Sequence, residues 1–249
     1  MLVERRTSLW LDFESKGQLK FVHPTLLVAV STSSSQYKAL YSQARELSNY
    51  LLKTLKFEEV AVLRSSALQP EVIVKEDGTA ILPACRFHVH RGKGDLLLFA
   101  GDSSPSDDQF EFARMVLDFG KKAGVKEVYS VGARWSENPV PAFEDPHVNG
   151  FATDKEGVKK LKEHGVEIIE SEPAPFFASM IVGMASEYGM RGYKISVDHG
   201  EPIPHTRSVI KMLEVLSDMI GFKVDMGELK ALVKAPPQER IPGTGPIYQ

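Results

Sequence analysis

Residues 95–135, DLLLFAGDSSPSDDQFEFARMVLDFGKKAGVKEVYSVGARW, read as one complete strand, loop, helix and strand. Residues 95–100 form a short apolar run closed by Gly101, the pattern of a strand buried on both faces. Ser106 and Gln109 stand at capping-box spacing, and Asp107 and Asp108 suit the positive end of a helix dipole, so a helix is expected from about Asp107. Phe110, Ala113, Leu117 and Gly120 recur at helical spacing with Met115 and Val116 alongside, which makes one face apolar. Glu111, Arg114, Asp118 and Lys121 fall largely on the other. Lys121, Lys122 and Gly124 supply a stop, and residues 125–131 return as a strand ending at Gly132. A strand, a crossover helix and a second strand imply parallel strands joined right-handedly, hence an α/β sheet covered by helices.

The whole chain is compatible with one large domain of this kind. It has 249 residues, of which 43% are hydrophobic. A formal net charge of −3, with no dense Lys/Arg run, gives no reason to expect nucleic-acid or anionic-membrane binding. Cys85 is the single cysteine, so no internal disulfide can form and a reducing, cytoplasmic setting is expected. The longest strongly apolar segment, residues 176–185, is half of the roughly 20 residues that a spanning helix needs. Charges interrupt the first residues, MLVERRTSLWLDFESK, which therefore do not read as a secretory signal.

Further units flank the central one. Two apolar alternations, 8–13 and 18–22, suggest a hairpin around 15–17. TLLVAV at 25–30 is a buried strand, and a long helix over 36–56 follows the serine cluster 31–35, with Leu40, Ala44, Leu47, Leu51 and Leu55 inward. Its companion strand is 59–63. Residues 64–94 hold β-prone pieces at 72–74 and 86–90, an antiparallel extension of the sheet or an excursion from it. Three prolines make 136–150 a structured loop. Thr153 and Glu156 form a second capping box for a short helix ending at Gly165, followed by a strand at 166–169. Residues 176–188 read as a helix apolar nearly all round and thus sandwiched, with Gly189 as its stop. A strand at 192–197, a long helix from Pro204 to Gly221 and a short one at 227–233 complete the body. The long helix buries Val209, Met212, Leu213, Leu216, Met219 and Ile220.

Chemistry-bearing residues are sparse. Neither GxxxxGK[ST] nor GxGxxG follows a strand, so no nucleotide cofactor is implied. The loop at Gly101, Asp102 and Ser103 lies where α/β folds bind ligands, although simple strand-to-helix punctuation is the favoured reading. Asp102, Asp107 and Asp108 suit a hard cation, but capping accounts for two of them, and no metal is expected. His88 and His90 share a strand face without a third ligand. Asp198 and His199, with Glu201 and His205, have acid/base chemistry or form a polar loop. Cys85 reads as a small buried residue. Ser179, Gly183 and Ser186 give one helix a face of small residues, open to a close helix or subunit contact or to core packing.

Composition changes at Ala235. APPQERIPGTGPIYQ has four prolines and two glycines in fifteen residues, which cannot sustain a helix or a central strand. Stretched at about 3.3 Å per residue, this tail reaches roughly 45–50 Å. It ends in Ile247, Tyr248 and Gln249, an aliphatic side chain, a phenol and a carboxylate suited to entering a pocket and pairing with a cation.

Two segments together resemble one family. GDSSPSDDQFEFARMVLDFGKKAGVKEVYSVGA and the later PAPFFASMIVGMASEYGMRGYKISVDHGEPIPHTRSVIKMLEVLSDMIGFKVDMGEL are similar to the PAC2 family, which includes proteasome assembly chaperones and their archaeal homologues. The resemblance spans about residues 25–233; STSSSQYKALYSQ departs from it where the family more often has glycines. It implies a three-layer α/β/α sandwich with a mainly parallel sheet, similar to the nucleoside phosphorylase fold, without implying that activity. The body is then 1–234 and the tail 235–249. Proteasome activators and some chaperone homologues end in a hydrophobic-Tyr-any-residue motif that inserts between α-subunits of the 20S proteasome, and Ile247, Tyr248 and Gln249 match it. A non-enzymatic proteasome-binding homo-oligomer is the function this implies. The alternative is a small-molecule enzyme using the strand-end edge at Gly101, Gly132 and His199, with Arg134 as its anion site.

Overall fold

The computed structural model describes residues 11–15, 20–30, 42–69, 71–101, 103–135, 145–199 and 205–234. Within these, the first half of the chain holds β1 (Leu11–Ser15), β2 (Thr25–Val30), α1 (Ser42–Thr54), β3 (Glu58–Ser65), β4 (Ile73–Val74), β5 (Ala80–Ile81), β6 (Cys85–His90), β7 (Leu96–Gly101) and α2 (Gln109–Ala123). The second half holds β8 (Glu127–Trp135), β9 (Val148–Ala152), α3 (Lys155–Glu163), β10 (Glu167–Ile168), α4 (Phe177–Ala185), β11 (Arg191–His199), α5 (His205–Ile220) and α6 (Gly227–Lys234).

Nine strands form one sheet in the order β1-β3-β6-β7-β2-β8-β11-β9-β10. Its centre, β7-β2-β8-β11, is parallel throughout. Of these, β2 and β7 have near-continuous apolar sequence, as burial on both faces demands. Antiparallel strands extend the sheet at either side, β6, β3 and β1 beyond β7 and β9 beyond β11. Strands β4 and β5 pair separately as a small excursion.

Each face of the sheet has its own core. On one, Phe112, Val116 and Phe119 of α2 and Phe177 and Ile181 of α4 pack with Phe87 and Phe99. On the other, Leu47 and Leu51 of α1, Leu161 of α3 and Met212, Leu213 and Leu216 of α5 cover Leu27, Tyr129 and Ile195. The molecule is thus a three-layer α/β/α sandwich.

Several local expectations shift. Helix α2 begins at Gln109 after a left-handed Asp108, φ 42°, without a side-chain cap, so the Ser106–Gln109 capping box does not form. The Ser106 hydroxyl instead donates to the Ala67 carbonyl, because residues 65–68 and Pro105 are bridged. The buried stripe of α2 falls on Phe112, Ala113, Val116, Leu117, Phe119 and Gly120, and Phe110 is 70% exposed. Gly124 does end the helix, at φ 89°. Strand β8 passes through Gly132 to Trp135 rather than stopping there.

The proposed N-terminal hairpin is replaced by pairing of β1 with β3; residues 20–24 hold no strand. The cap of α3 is Asp154, which accepts from the Gly157 N–H at 2.6 Å, while the Thr153 hydroxyl accepts from Gly192 N–H of β11. The loop expected over 136–150 gives way at Val148 to β9. Residues 31–41, including Leu40 and the expected first turns of the long helix, lie outside the described residues, as does 136–144. Helix α4 is not sandwiched: Gly183 is exposed, and Phe176 just before it is 53% exposed.

Candidate functional site

The C-terminal ends of β2, β8 and β11 open onto a cavity of about 300 Å³. Strand register explains how it arises. On the face toward α4, Lys194 of β11 stands opposite Ser130 of β8 and opposite Phe151 of β9. One pleat further, Ser196 stands opposite Gly132 and Asn149. A Cβ on Gly132 would lie 2.9 Å from the Lys194 Nζ, so the missing side chain is the space the ammonium occupies.

Lys194 is only 5% exposed. Its one hydrogen bond among the described residues runs from Nζ to the Ile195 carbonyl, a long 3.3 Å. Burial disfavours the charged amine and pushes it down to about 7. Near it, Ser130 Oγ and Asn149 Oδ1 are buried without a partner among the described residues. Buried polar atoms are almost always paired, so three under-used groups on one patch of sheet are a departure from ordinary packing.

The mouth is charged but closed on itself. Arg134 Nη2 donates to Glu172 at 2.9 Å and Nη1 to Asp198 at 3.5 Å, and Asp198 also accepts from Asn149 Nδ2. Apolar walls come from Phe151, Ile169, Pro173, Pro175 and Phe176. Phe176 has φ 75° and ψ 158°, a region essentially reserved for glycine and costing on the order of 1–3 kcal/mol in other residues. Its carbonyl nevertheless accepts from the Ser179 and Met180 N–H groups and starts α4.

A second polar cluster, with two buried tyrosines and a half-buried Glu127 and Lys160, lies on the opposite face of the same two strands. The rings of Tyr129 and Tyr193 stack at 4.5 Å and 12°. Both hydroxyls donate to Glu127, at 3.0 and 2.8 Å, and Lys160 donates to Glu127 at 3.0 Å and to the Tyr129 oxygen at 2.7 Å. Burial and the neighbouring carboxylate raise both phenols above their usual range. Burial also pushes the Glu127 carboxyl upward, but Lys160 and the hydroxyls outweigh it and hold the group below its ordinary value. This network closes its own hydrogen bonds.

The sequence candidates separate accordingly. Gly132 and Arg134 line the cavity, whereas Gly101 does not: Cys85 fills the place of its side chain, with Sγ 2.2 Å from an added Cβ. Cys85 is buried, and its thiol donates to the Ser103 carbonyl at 3.6 Å. His199 ends β11, and nothing is described of its side chain. His88 and His90 do share a strand face, where Phe57 packs against both rings. Asp107 and Asp108 are exposed, Asp102 is outside the described residues, and among those described no three metal-ligating side chains gather. Ile247, Tyr248 and Gln249 also lie outside the described residues. Lys194 escaped sequence reasoning, although a lysine inside GYKISV, flanked by apolar residues on a strand buried on both faces, has nowhere exposed to go. Among the described residues no helix is long and apolar enough to cross a membrane.

Residues 44–236 match the model of the PAC2 family. The fold is similar to Pyrococcus furiosus PbaB, an archaeal proteasome activator, with a TM-score of 0.76 and 19% identity over 90% of this chain and 94% of that one. It is also similar to PbaA of the same organism, an archaeal homolog of proteasome-assembly chaperone, with a TM-score of 0.67 and 20% identity over 89% and 90% of the two chains. At these identities the likeness is one of fold. An uncharacterised protein of Methanocaldococcus jannaschii is 27% identical over 124 residues, 49% of this chain and 47% of the relative. The chain therefore spans about half the length of that curated relative.

Proposed function

The chain belongs to the PAC2 family, and on that premise we propose that it is a non-enzymatic proteasome-binding protein, an assembly-chaperone homologue or an activator. The body is residues 1–234, and the Pro/Gly-rich residues 235–249 are the tail that docks into the α-ring of the 20S particle. Ile247 supplies apolar burial, Tyr248 a packed ring and a hydroxyl contact, and Gln249 the terminal carboxylate. The observation that carries this reading is the conjunction, in one PAC2 chain, of that body with an Ile-Tyr-Gln ending. The likeness of the fold to PbaB, an archaeal proteasome activator, and to PbaA, an archaeal homolog of proteasome-assembly chaperone, supports it.

One short peptide buries little surface, so several tails must act together; linked copies gain about 10²- to 10⁴-fold in avidity. The protein is accordingly a cytoplasmic homo-oligomer. The outward face of α4 suits such self-association, since Gly183 has open space around it and Met180 and Met184 are only partly covered. Native-gel binding to purified 20S particles tests the docking: Tyr248→Ala, or one residue added after Gln249, is expected to abolish the shifted band. Retention of that band by both variants rejects tail docking. Sedimentation at micromolar concentration is expected to show an oligomer, and a strict monomer contradicts the avidity.

A further inference from the structure

The cavity over Gly132 is independent of the tail. We propose that it binds a small monocarboxylate with an apolar body, its carboxylate held by Lys194 and its body lying against Phe151, Ile169, Pro173 and Phe176.

Four features of the site select this chemistry. The cavity holds about 300 Å³, the lower end of the range of about 300–1,000 Å³ for small-molecule sites, and its walls are mainly apolar with a few converging polar groups. Among the described residues its cation lacks a counter-charge: Lys194 is buried and bonds only to the carbonyl of Ile195. A buried charge is tolerated when it is paired, and a carboxylate supplies the pair. The ligand is a monoanion because the second cation, Arg134, is already engaged by Glu172 and Asp198, leaving one positive charge and acidic groups at the mouth. Among the described residues a phosphate dianion would meet those acids with only one cation not already engaged. Finally, Gly132 makes the approach: without its Cβ the Lys194 ammonium reaches the cavity, beside the Ser196 hydroxyl.

Among the described residues the charged groups on this face of the strands are Arg134 of β8, Asp198 of β11 itself and Glu172 before α4. Strand β9 brings Phe151 and Asn149, and α4 brings Ala178 and Ser179, none of them titratable. Binding an anion therefore favours the protonated form of Lys194 alone, whose amine titrates near 7 when the site is empty of an anion.

Calorimetric titration of the full chain with sodium benzoate, at pH 6 and pH 8 in buffers of different ionisation enthalpy, tests the proposal. Saturable one-site binding is expected, with uptake approaching one proton per benzoate at pH 8 and little at pH 6. Lys194→Met, whose circular dichroism and melting confirm folding, is expected to bind about tenfold more weakly or worse. Gly132→Ala, which crowds the ammonium, also weakens binding, and inorganic phosphate at equal concentration does not bind. Absence of saturable benzoate binding by the intact chain, equal binding by Lys194→Met, or preference for phosphate overturns the assignment. So does a cyanoborohydride-trapped benzaldehyde adduct on Lys194 without benzoate binding, because the amine then serves a carbonyl compound.

Discussion

Strands β8 and β11 carry one polar cluster on each of their faces. On the face covered by α1, α3 and α5, Glu127, Tyr129, Tyr193 and Lys160 satisfy one another within 3.0 Å. On the face covered by α4, Lys194, Ser130 and Asn149 sit beside a cavity with one long hydrogen bond from the lysine and two buried oxygens unpaired among the described residues. The strands and register are shared, so secondary structure does not explain the difference. A closed network rigidifies the fold, and an open one bears the cost of desolvation with no internal return. The first is legible as architecture, the second as a receptor.

The largest effect should come from breaking the closed cluster. Glu127→Ala leaves two phenols and Lys160 without their common acceptor and should destabilise the chain by about 2–4 kcal/mol in urea melts. Lys194→Met should have the opposite sign, raising stability at pH 6, where the intact chain must bury an ammonium. The folded pKa of Lys194 lies below its unfolded value, so the unfolded chain binds more protons between the two. Stability of the intact chain then rises through that window, and its deficit against Lys194→Met should close between pH 7 and about 10.5. Taking the difference between the two proteins cancels the tyrosines. A destabilising Lys194→Met would erase the contrast between the faces. Smallest is Gly132→Ala, where only the flexible end of Lys194 must move, expected within about 1 kcal/mol of the intact chain in the same melts.

Legibility followed how locally each feature is determined. Strands β2, β7 and β11 and the ends of α2 and α5 were readable because long apolar runs and terminal glycines act over a few residues. Strand β9, VNGFA, has no periodic signature; its pairing with β11 arises from tertiary contact. The phase of α2 shifted from Phe110 to Phe112 and Phe119 because those two rings complete an aromatic core with Phe13, Phe87, Phe99 and Phe177, drawn from distant segments. Capping by Ser106 failed for a like reason, the turn at 65–68 having claimed its hydroxyl. At the candidate site Gly132 and Arg134 were foreseen and Lys194 was not, because its burial depends on β8, β9 and α4 together. Gly101 looked like a ligand loop, yet the neighbour that fills its space, Cys85, comes from an adjacent strand.

Neither cluster is the proposed contact with the proteasome, which sets one decisive measurement. Co-sedimentation with purified 20S particles should compare the intact chain, a variant lacking Ile247 to Gln249, and Lys194→Met. Binding by the intact chain and Lys194→Met, with loss on removal of the three residues, is the result expected of tail docking; undiminished binding by the shortened chain contradicts it and moves the contact to the folded body.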